Sequence, residues 1–488
     1  MERTTKNRPK IKSMHNVLDE FKKCNGCDRK RKYLNEFQIC KSCYKPMTAF
    51  IPSGNRVVDD FIKYTLTNRN EKAGKMEFIP YDRFKDIEFI AVGGFSKIYK
   101  ATWIDGPISY WNHKKQKYDS YGEMNVVLKK LSSSKYINSG GLNEIKMFYK
   151  FILSMASYDP CDNDGYYPYI NKYYGITLDP TTQNFAIVIK YYESGDLAHY
   201  LIDDFLKHNW IDKLNILNYI ILGLKNMHNA NIVHGDIHSG NILLERNFAI
   251  IGDLAEAKIV SESLDSDYNE IYGIIPYMDP EIIQGKKYTK ASDVYSFGMI
   301  MWELMTGRRP FWDRYHNTEL IIQICDGLRP PIVTNAPEGY IELMQECWHH
   351  DPKKRPTAFD IESKIRNILL MESDNCRDNN PTKIIKSPDI GPITINNPDF
   401  IYKSRSLSTM INSVESTEIF TKLDPYQSSD EFFNDKRELD INLIEERTNK
   451  KIKLTEIDDD DDEEFEFDRL TKESDNRMAI NPTITDHV

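Results

Sequence analysis

The chain has 488 residues, 40% of them apolar, and a formal net charge of −10. That is enough for a large core and two or three units. The basic start "MERTTKNRPKIK" has no apolar stretch behind it, and no run approaches the roughly 20 apolar residues that span a bilayer, so neither a secreted protein nor a membrane partner is expected. The acidity sits late: residues 371–488 hold 28 acidic against 15 basic side chains, so it says little about the part that precedes them.

Residues 1–50 are basic and contain four of the eight cysteines. Cys24-x2-Cys27 and Cys40-x2-Cys43 form two pairs separated by twelve residues. Each pair can place two thiolates on one side of a tight turn, and two facing turns make a tetrahedral sulfur site suited to structural Zn²⁺. The plain alternative is four unrelated cysteines in a basic arm. The nearby "DRKRK" reads as solvated charge beside such a site, so nucleic acid is not an expected partner. Eight cysteines in so long a chain do not make a disulfide framework, which points to reducing conditions in cytoplasm or nucleus.

Residues 51–83 form a connector in which "VVDDFIKYTL" (57–66) has the spacing of an amphipathic helix. From Phe84 the pattern changes to "DIEFIAV", "SKIYKATW", "NVVLKKL" and "NFAIVIKYY", the strands of a small antiparallel sheet. After residue 195, "WIDKLNILNYIILGLKNMH" and "KASDVYSFGMIMWELMTG" are helical, and the pattern ends near residue 369. Residues 370–488 are rich in Asn, Asp, Pro and Ser, carry the acidic run "DDDDDEEFEF" (458–467), and are expected to be disordered. "RTNKKIKL" (447–454) has the composition of a nuclear address, and "KSRSLSTMINSVEST" (403–417) places serines beside basic residues.

Several stretches between 90 and 360 can carry phosphate chemistry. "IAVGGFSKIY" (90–99) places Ala91, Gly93, Gly94 and Ser96 in a small-residue turn between strands, where backbone N–H groups could approach phosphate oxygens; a plain hairpin is the alternative. Lys129 ends an apolar strand and could pair with phosphates if Glu144, 15 residues on in a helical run, holds it; otherwise it is a surface lysine. "VHGDIHSGNILL" (233–244) is more specific. Asp236 can accept a hydroxyl proton and Asn241 can ligate a metal. Asp253, in "IIGDLAEAK", follows twelve residues later and is either a second metal ligand or an ordinary turn residue. Further on, Glu281 is placed to pair with Arg355, and Asp293 is expected to be buried.

In this order and spacing, residues 84–369 resemble a complete eukaryotic protein kinase domain. "DIHSGN", "SDVYSFGMIMWEL" and the terminal "W…DP..RPT" are similar to the tyrosine-kinase-like group. With the cysteine pairs in front, the arrangement resembles zinc-knuckle-bearing kinases expanded in mycorrhizal fungi. The resemblance implies an α+β, bilobal fold with an antiparallel sheet lobe and a helical lobe, preceded by a small zinc-binding module. It implies ATP, Mg²⁺ (or Mn²⁺) and protein substrates, with serine or threonine preferred over tyrosine as acceptor. Lys129 is then the phosphate-anchoring lysine and Glu144 its partner, Asp236 the catalytic aspartate, and Asn241 and Asp253 the Mg²⁺ ligands. Ile189 guards the back of the nucleotide cleft, and Lys190, Tyr191 and Tyr192 form the hinge that meets adenine. Phe148, His234 and Leu254 fall in the stacked spine of an assembled kinase.

Five residues depart from that pattern: Ala91, Ser96, Gly235, His238 and Ala255. Gly235 removes an arginine that would hold an activation-loop phosphate. Ala255 replaces a glycine, and switching would cost roughly 1 kcal/mol more if its φ must become positive. The groups that phosphoryl transfer needs are all present, so an active enzyme is expected, with a nucleotide-binding pseudokinase scaffold as the alternative.

Overall fold

The protein is described from a computed structural model, in which residues 22–24, 30–31, 38–67, 75–93, 96–131, 140–155, 169–246, 248–260, 271–393 and 401–415 are defined. Helix α1 (Lys41–Met47) and helix α2 (Arg56–Thr67) precede the sheet. Strands β1 (Phe84–Val92), β2 (Ser96–Trp103), β3 (Met124–Leu131), β4 (Tyr173–Leu178) and β5 (Phe185–Lys190) are joined by helix α3 (Asn143–Met155) between β3 and β4. The sheet order is β4-β5-β3-β2-β1 with antiparallel pairing, and a two-residue strand, Glu77–Phe78, lies parallel to β4 at its edge.

β5 is "FAIVIK" because both of its faces are covered. Ala186 and Val188 pack with Trp103, Val126 and Leu128 on one face, while Ile187 and Ile189 join Ile145, Phe148 and Phe151 of α3 on the other. The same two-residue alternation decides where Lys129 goes. Val126 and Leu128 face away from α3, Val127 and Leu131 pack toward it, and Lys129 shares their parity. The connector supports α3 from outside. Val58, Phe61, Ile62 and Leu66 of α2 enter the same apolar cluster, and the Phe61 and Tyr64 rings meet Tyr149 of α3 edge-on at 6.1 and 5.7 Å.

The helical lobe is built on α4 (Trp210–Asn229), strands β6 (Ile242–Glu245) and β7 (Phe248–Ile251), and helices α5 (Lys290–Thr306), α6 (Tyr340–Cys347) and α7 (Ala358–Arg377). Helix α4 begins with a reciprocal Asn209–Asp212 cap, and α7 with a Thr357–Asp360 cap, which satisfies donors that no turn precedes. Helix α5 stops at Gly307, whose φ is +72° and where a Cβ would lie 2.6 Å from the Phe205 ring. Among the described residues no helix is long and apolar enough to cross a membrane.

Composition pointed to disorder from residue 370 onward, and the structure differs for 370–393 and 401–415. Helix α7 runs on to Arg377, and buried Glu372 accepts bonds from the Thr382 N–H (2.8 Å) and hydroxyl (2.7 Å). Gly391 N–H donates to Thr306 O at 2.7 Å. Backbone capture by buried partners, which composition does not register, holds this polar stretch down. The acidic run and "RTNKKIKL" lie outside the described residues.

Lys213 is fully buried near the start of α4, with its Nζ 3.8 Å from the Phe205 ring centroid and 5.2 Å from that of Trp210, and no hydrogen-bond acceptor among the described residues reaches it. Burial pulls this amine down to about 7. The unfolded chain therefore binds the extra proton between about pH 7 and the ordinary lysine value, and folding stability rises with pH across that window. Urea unfolding of Lys213→Met should show a stability gain over the parent at pH 7 that shrinks toward pH 10; a pH-independent difference would contradict this reading.

Candidate active site

Lys129 sits between two carboxylates. Its Nζ is 2.9 Å from Glu144 Oε2 and 2.7 Å from Asp253 Oδ1, and Lys129 and Glu144 are both buried. Glu144 reaches it because it opens α3 on the face that also carries Phe148 and Phe151, one and two turns on. Burial alone would lower the Lys129 amine, but the charges of Asp253 and Glu144 outweigh it and hold the ammonium above its ordinary value. Burial raises the Glu144 carboxyl against the opposing Lys129 charge, while that same charge brings Asp253 below its usual range despite desolvation.

Sequence reasoning missed Tyr173 of β4. Its hydroxyl donates to Glu144 Oε1 at 2.8 Å and accepts the Leu254 N–H at 3.3 Å. One phenol thus joins α3 to the segment after Asp253, and a tyrosine in a sheet strand carries no sequence signal for that role.

The Asp236 loop is held from below by Asp293 of α5, which is buried as expected and accepts from His228 Nε2 (2.8 Å), His234 N–H (2.9 Å) and Gly235 N–H (2.9 Å). His234 Nδ1 accepts the Asp236 N–H at 3.2 Å, so its Nε2–H is left to donate to Gly252 O at 2.8 Å. That imidazole ties the loop to the residue preceding Asp253. Asn241 Nδ2 donates to Asp236 O at 2.9 Å, and Asn241 O accepts the Gly252 N–H at 2.7 Å. His238 Nδ1 accepts the Gly240 N–H at 3.1 Å, which turns Nε2 toward Asp236 Oδ2 at 3.7 Å.

Two departures take on a different meaning. Gly235 has φ +78°, a conformation that suits glycine over arginine, and its N–H is one of the Asp293 donors. Ala255 is not among the positive-φ residues; the left-handed residue is Asp253 itself, at φ +49°. Ala255 donates its N–H to Asp253 Oδ1 (3.2 Å) and accepts from Asn143 Nδ2 (2.9 Å), so this arrangement does not call for a positive φ at alanine.

The sheet and the chain that leaves it place the remaining expected residues. Gly93 N–H donates to Ser96 O at 2.8 Å, and a Cβ at Gly93 would fall 2.9 Å from Ser96 Oγ, so a larger residue there would have to turn the serine hydroxyl aside. Ala91 pairs with Ile98 across β1 and β2, while Gly94 lies outside the described residues. Ile189 is buried at the end of β5; Lys190 pairs with Glu245 at 2.7 Å, and Tyr191 and Tyr192 follow. Phe148 and Leu254 share one apolar cluster. Arg355 meets both Glu281 oxygens at 2.9 Å, as expected, and also Asp279 at 3.4 Å.

Away from this cleft, buried Cys24, Cys40 and Cys43 bring their sulfurs within 4.8 Å of one another, and Cys40 N–H donates to Cys24 Sγ at 3.1 Å. Cys27 lies outside the described residues. A buried thiol triad of this size is compatible with a zinc site.

Residues 84–365, more than half of the chain, match the family described as protein tyrosine and serine/threonine kinase. The chain belongs to that family, the protein kinases. Similar proteins include a probable serine/threonine-protein kinase, roco5, of Dictyostelium discoideum, 36% identical over 43% of this chain and 8% of its own length. Receptor-interacting serine/threonine-protein kinase 4 of Mus musculus is 30% identical over 43% of this chain and 28% of its own length. Ephrin type-A receptor 7 of Gallus gallus is 34% identical over 37% of this chain and 19% of its own length. The chain thus spans less than a third of each of these relatives.

Tyr173→Phe removes the hydroxyl shared by Glu144 and Leu254. Urea unfolding should show a loss of about 1–3 kcal/mol, since the change strips a buried carboxylate of a donor and a buried N–H of its acceptor.

Proposed function

We propose that this protein transfers the γ-phosphoryl group of Mg·ATP to serine or threonine hydroxyls of protein substrates, as a kinase of the tyrosine-kinase-like kind. The observation that supports this best is the pattern of oxygens left over at the site. Asp253 gives Oδ1 to Lys129 and Ala255, and Asn241 spends its Nδ2 on the Asp236 carbonyl. Asp253 Oδ2 and Asn241 Oδ1 have no hydrogen-bond partner among the described residues and could ligate a hard cation, which is the donor chemistry Mg²⁺ takes. Bound there, the ion supplies positive charge to the phosphate oxygens.

The chain's own groups do the rest. Lys129, held charged by two carboxylates, anchors the α- and β-phosphates. The glycine turn at Gly93 lets backbone approach them, and the backbone of Lys190–Tyr192 meets the adenine edge. Asp236, fixed through its own N–H and C=O by His234 and Asn241, orients the acceptor hydroxyl and takes its proton. Gly235 has no side chain to bind an activation-loop phosphate, so activity does not depend on that pairing.

Incubation of the full chain with labelled ATP, Mg²⁺ and a generic protein substrate should give transfer that Asp236→Ala or Asp253→Asn lowers by about a hundredfold or more, with label on serine and threonine after hydrolysis. Equal labelling by parent and variants would point to the scaffold instead.

We also propose that Cys24, Cys40 and Cys43, with Cys27, hold a structural Zn²⁺. Metal analysis of the purified chain should give about one zinc per chain, and Cys43→Ser should fall well below that.

A further inference from the structure

The last described segment does not simply pack on the surface; it adds a strand beside the catalytic loop. Residues 405–406 pair antiparallel with Tyr272–Gly273, Ser406 opposite Tyr272 and Arg405 opposite Gly273. Leu407 N–H donates to Ile271 O at 2.8 Å, and Ser408 Oγ accepts the Ile271 N–H at 2.9 Å. Side chains secure the strap on both flanks. Leu407 and Ile411 are buried on one side. On the other, the Tyr402 hydroxyl donates to Pro310 O (2.9 Å), its ring meets His316 edge-on, and Arg405 donates to His316 O (2.8 Å).

The edge that this strap covers leads to the chemistry. Gly273 and Ile274 line a cavity of about 20 Å³ together with Gly235, Asp236 and Tyr277. An acceptor hydroxyl delivered to Asp236 is carried on a polypeptide, and the chain flanking it must pass this edge. An uncovered Ile271–Gly273 backbone offers that chain a strand to pair with, as sheet edges do for extended peptides.

We propose that Ile271–Gly273 is the docking edge for the acceptor polypeptide and that residues 401–411 are its resident occupant, so that a protein substrate must displace them. The strap then also reports what the edge prefers. A fitting substrate is an extended segment with an apolar residue where Leu407 is buried and a basic residue two positions before it, where Arg405 meets His316. The proposal rests on the phosphoryl-transfer reading above and adds to it the identity of the competing ligand.

The test compares the full chain with full-chain Leu407→Asp, and with a full chain carrying a protease site inserted between residues 393 and 401 that is cut after folding. The second form keeps the question open to refutation should the substitution fail to fold. In both opened forms the KM for a generic protein substrate should fall at least about fivefold, with kcat and the KM for ATP unchanged, because an occupied edge reduces apparent affinity by the fraction of molecules in which it is free. A synthetic peptide of residues 399–412 should inhibit the opened forms competitively with the protein substrate, while the same peptide with Asp in place of its leucine should not. An active chain whose KM is unchanged or raised on opening, or a peptide that competes with ATP, overturns the strap alone. Absence of transfer from every form overturns the enzymatic reading and the strap with it.

Discussion

Lys129 and Glu144 are buried, each tolerable there because of the other, and the partly exposed Asp253 brings a second carboxylate to Lys129. Removing either partner of such a buried pair typically costs about 3–5 kcal/mol, because it leaves a buried charge uncompensated. The cluster draws on three separate pieces of chain: strand β3, the first turn of α3, and the segment after β7. Its formation therefore requires the sheet, the helix and the catalytic segment to adopt one relative arrangement. Tyr173 extends the constraint by donating to Glu144 and accepting from Leu254.

A second anchor works on the loop. Asp293 lies far along the chain from His234 and Gly235, yet accepts both of their N–H groups and an imidazole as well. A carboxylate saturated in this way fixes backbone more firmly than a side-chain contact could. Gly235 takes a left-handed conformation there without the backbone strain a larger residue would meet.

Much of this was legible in the sequence for identifiable reasons. The β-branched runs "NVVLKKL" and "NFAIVIKYY" placed the strands, and Lys129, Glu144, Asp236, Asn241 and Asp253 stand in the order and spacing that carry the kinase resemblance. The pairing of Arg355 with Glu281 followed from charge and position. What stayed hidden was contact between distant segments with ordinary compositions. Tyr173 is one aromatic among many strand residues, and the polar stretch at 370–393 resembles a disordered one until its partners Thr306 and Glu372 are known. The left-handed residue of this turn is Asp253 and not Ala255, a placement that composition does not register because φ is set by the whole turn.

The docking of α2 bears on what counts as one unit. The family match begins at residue 84, yet Val58, Phe61, Ile62 and Leu66 complete the apolar surface of α3, the helix that presents Glu144. A fragment cut at the family boundary would leave that helix with a bare hydrophobic flank, inviting self-association and loosening the carboxylate it carries. Helix α2 is tethered to the surface it covers, so its effective concentration there is set by the chain that joins it to β1 and not by the supply of a separate partner.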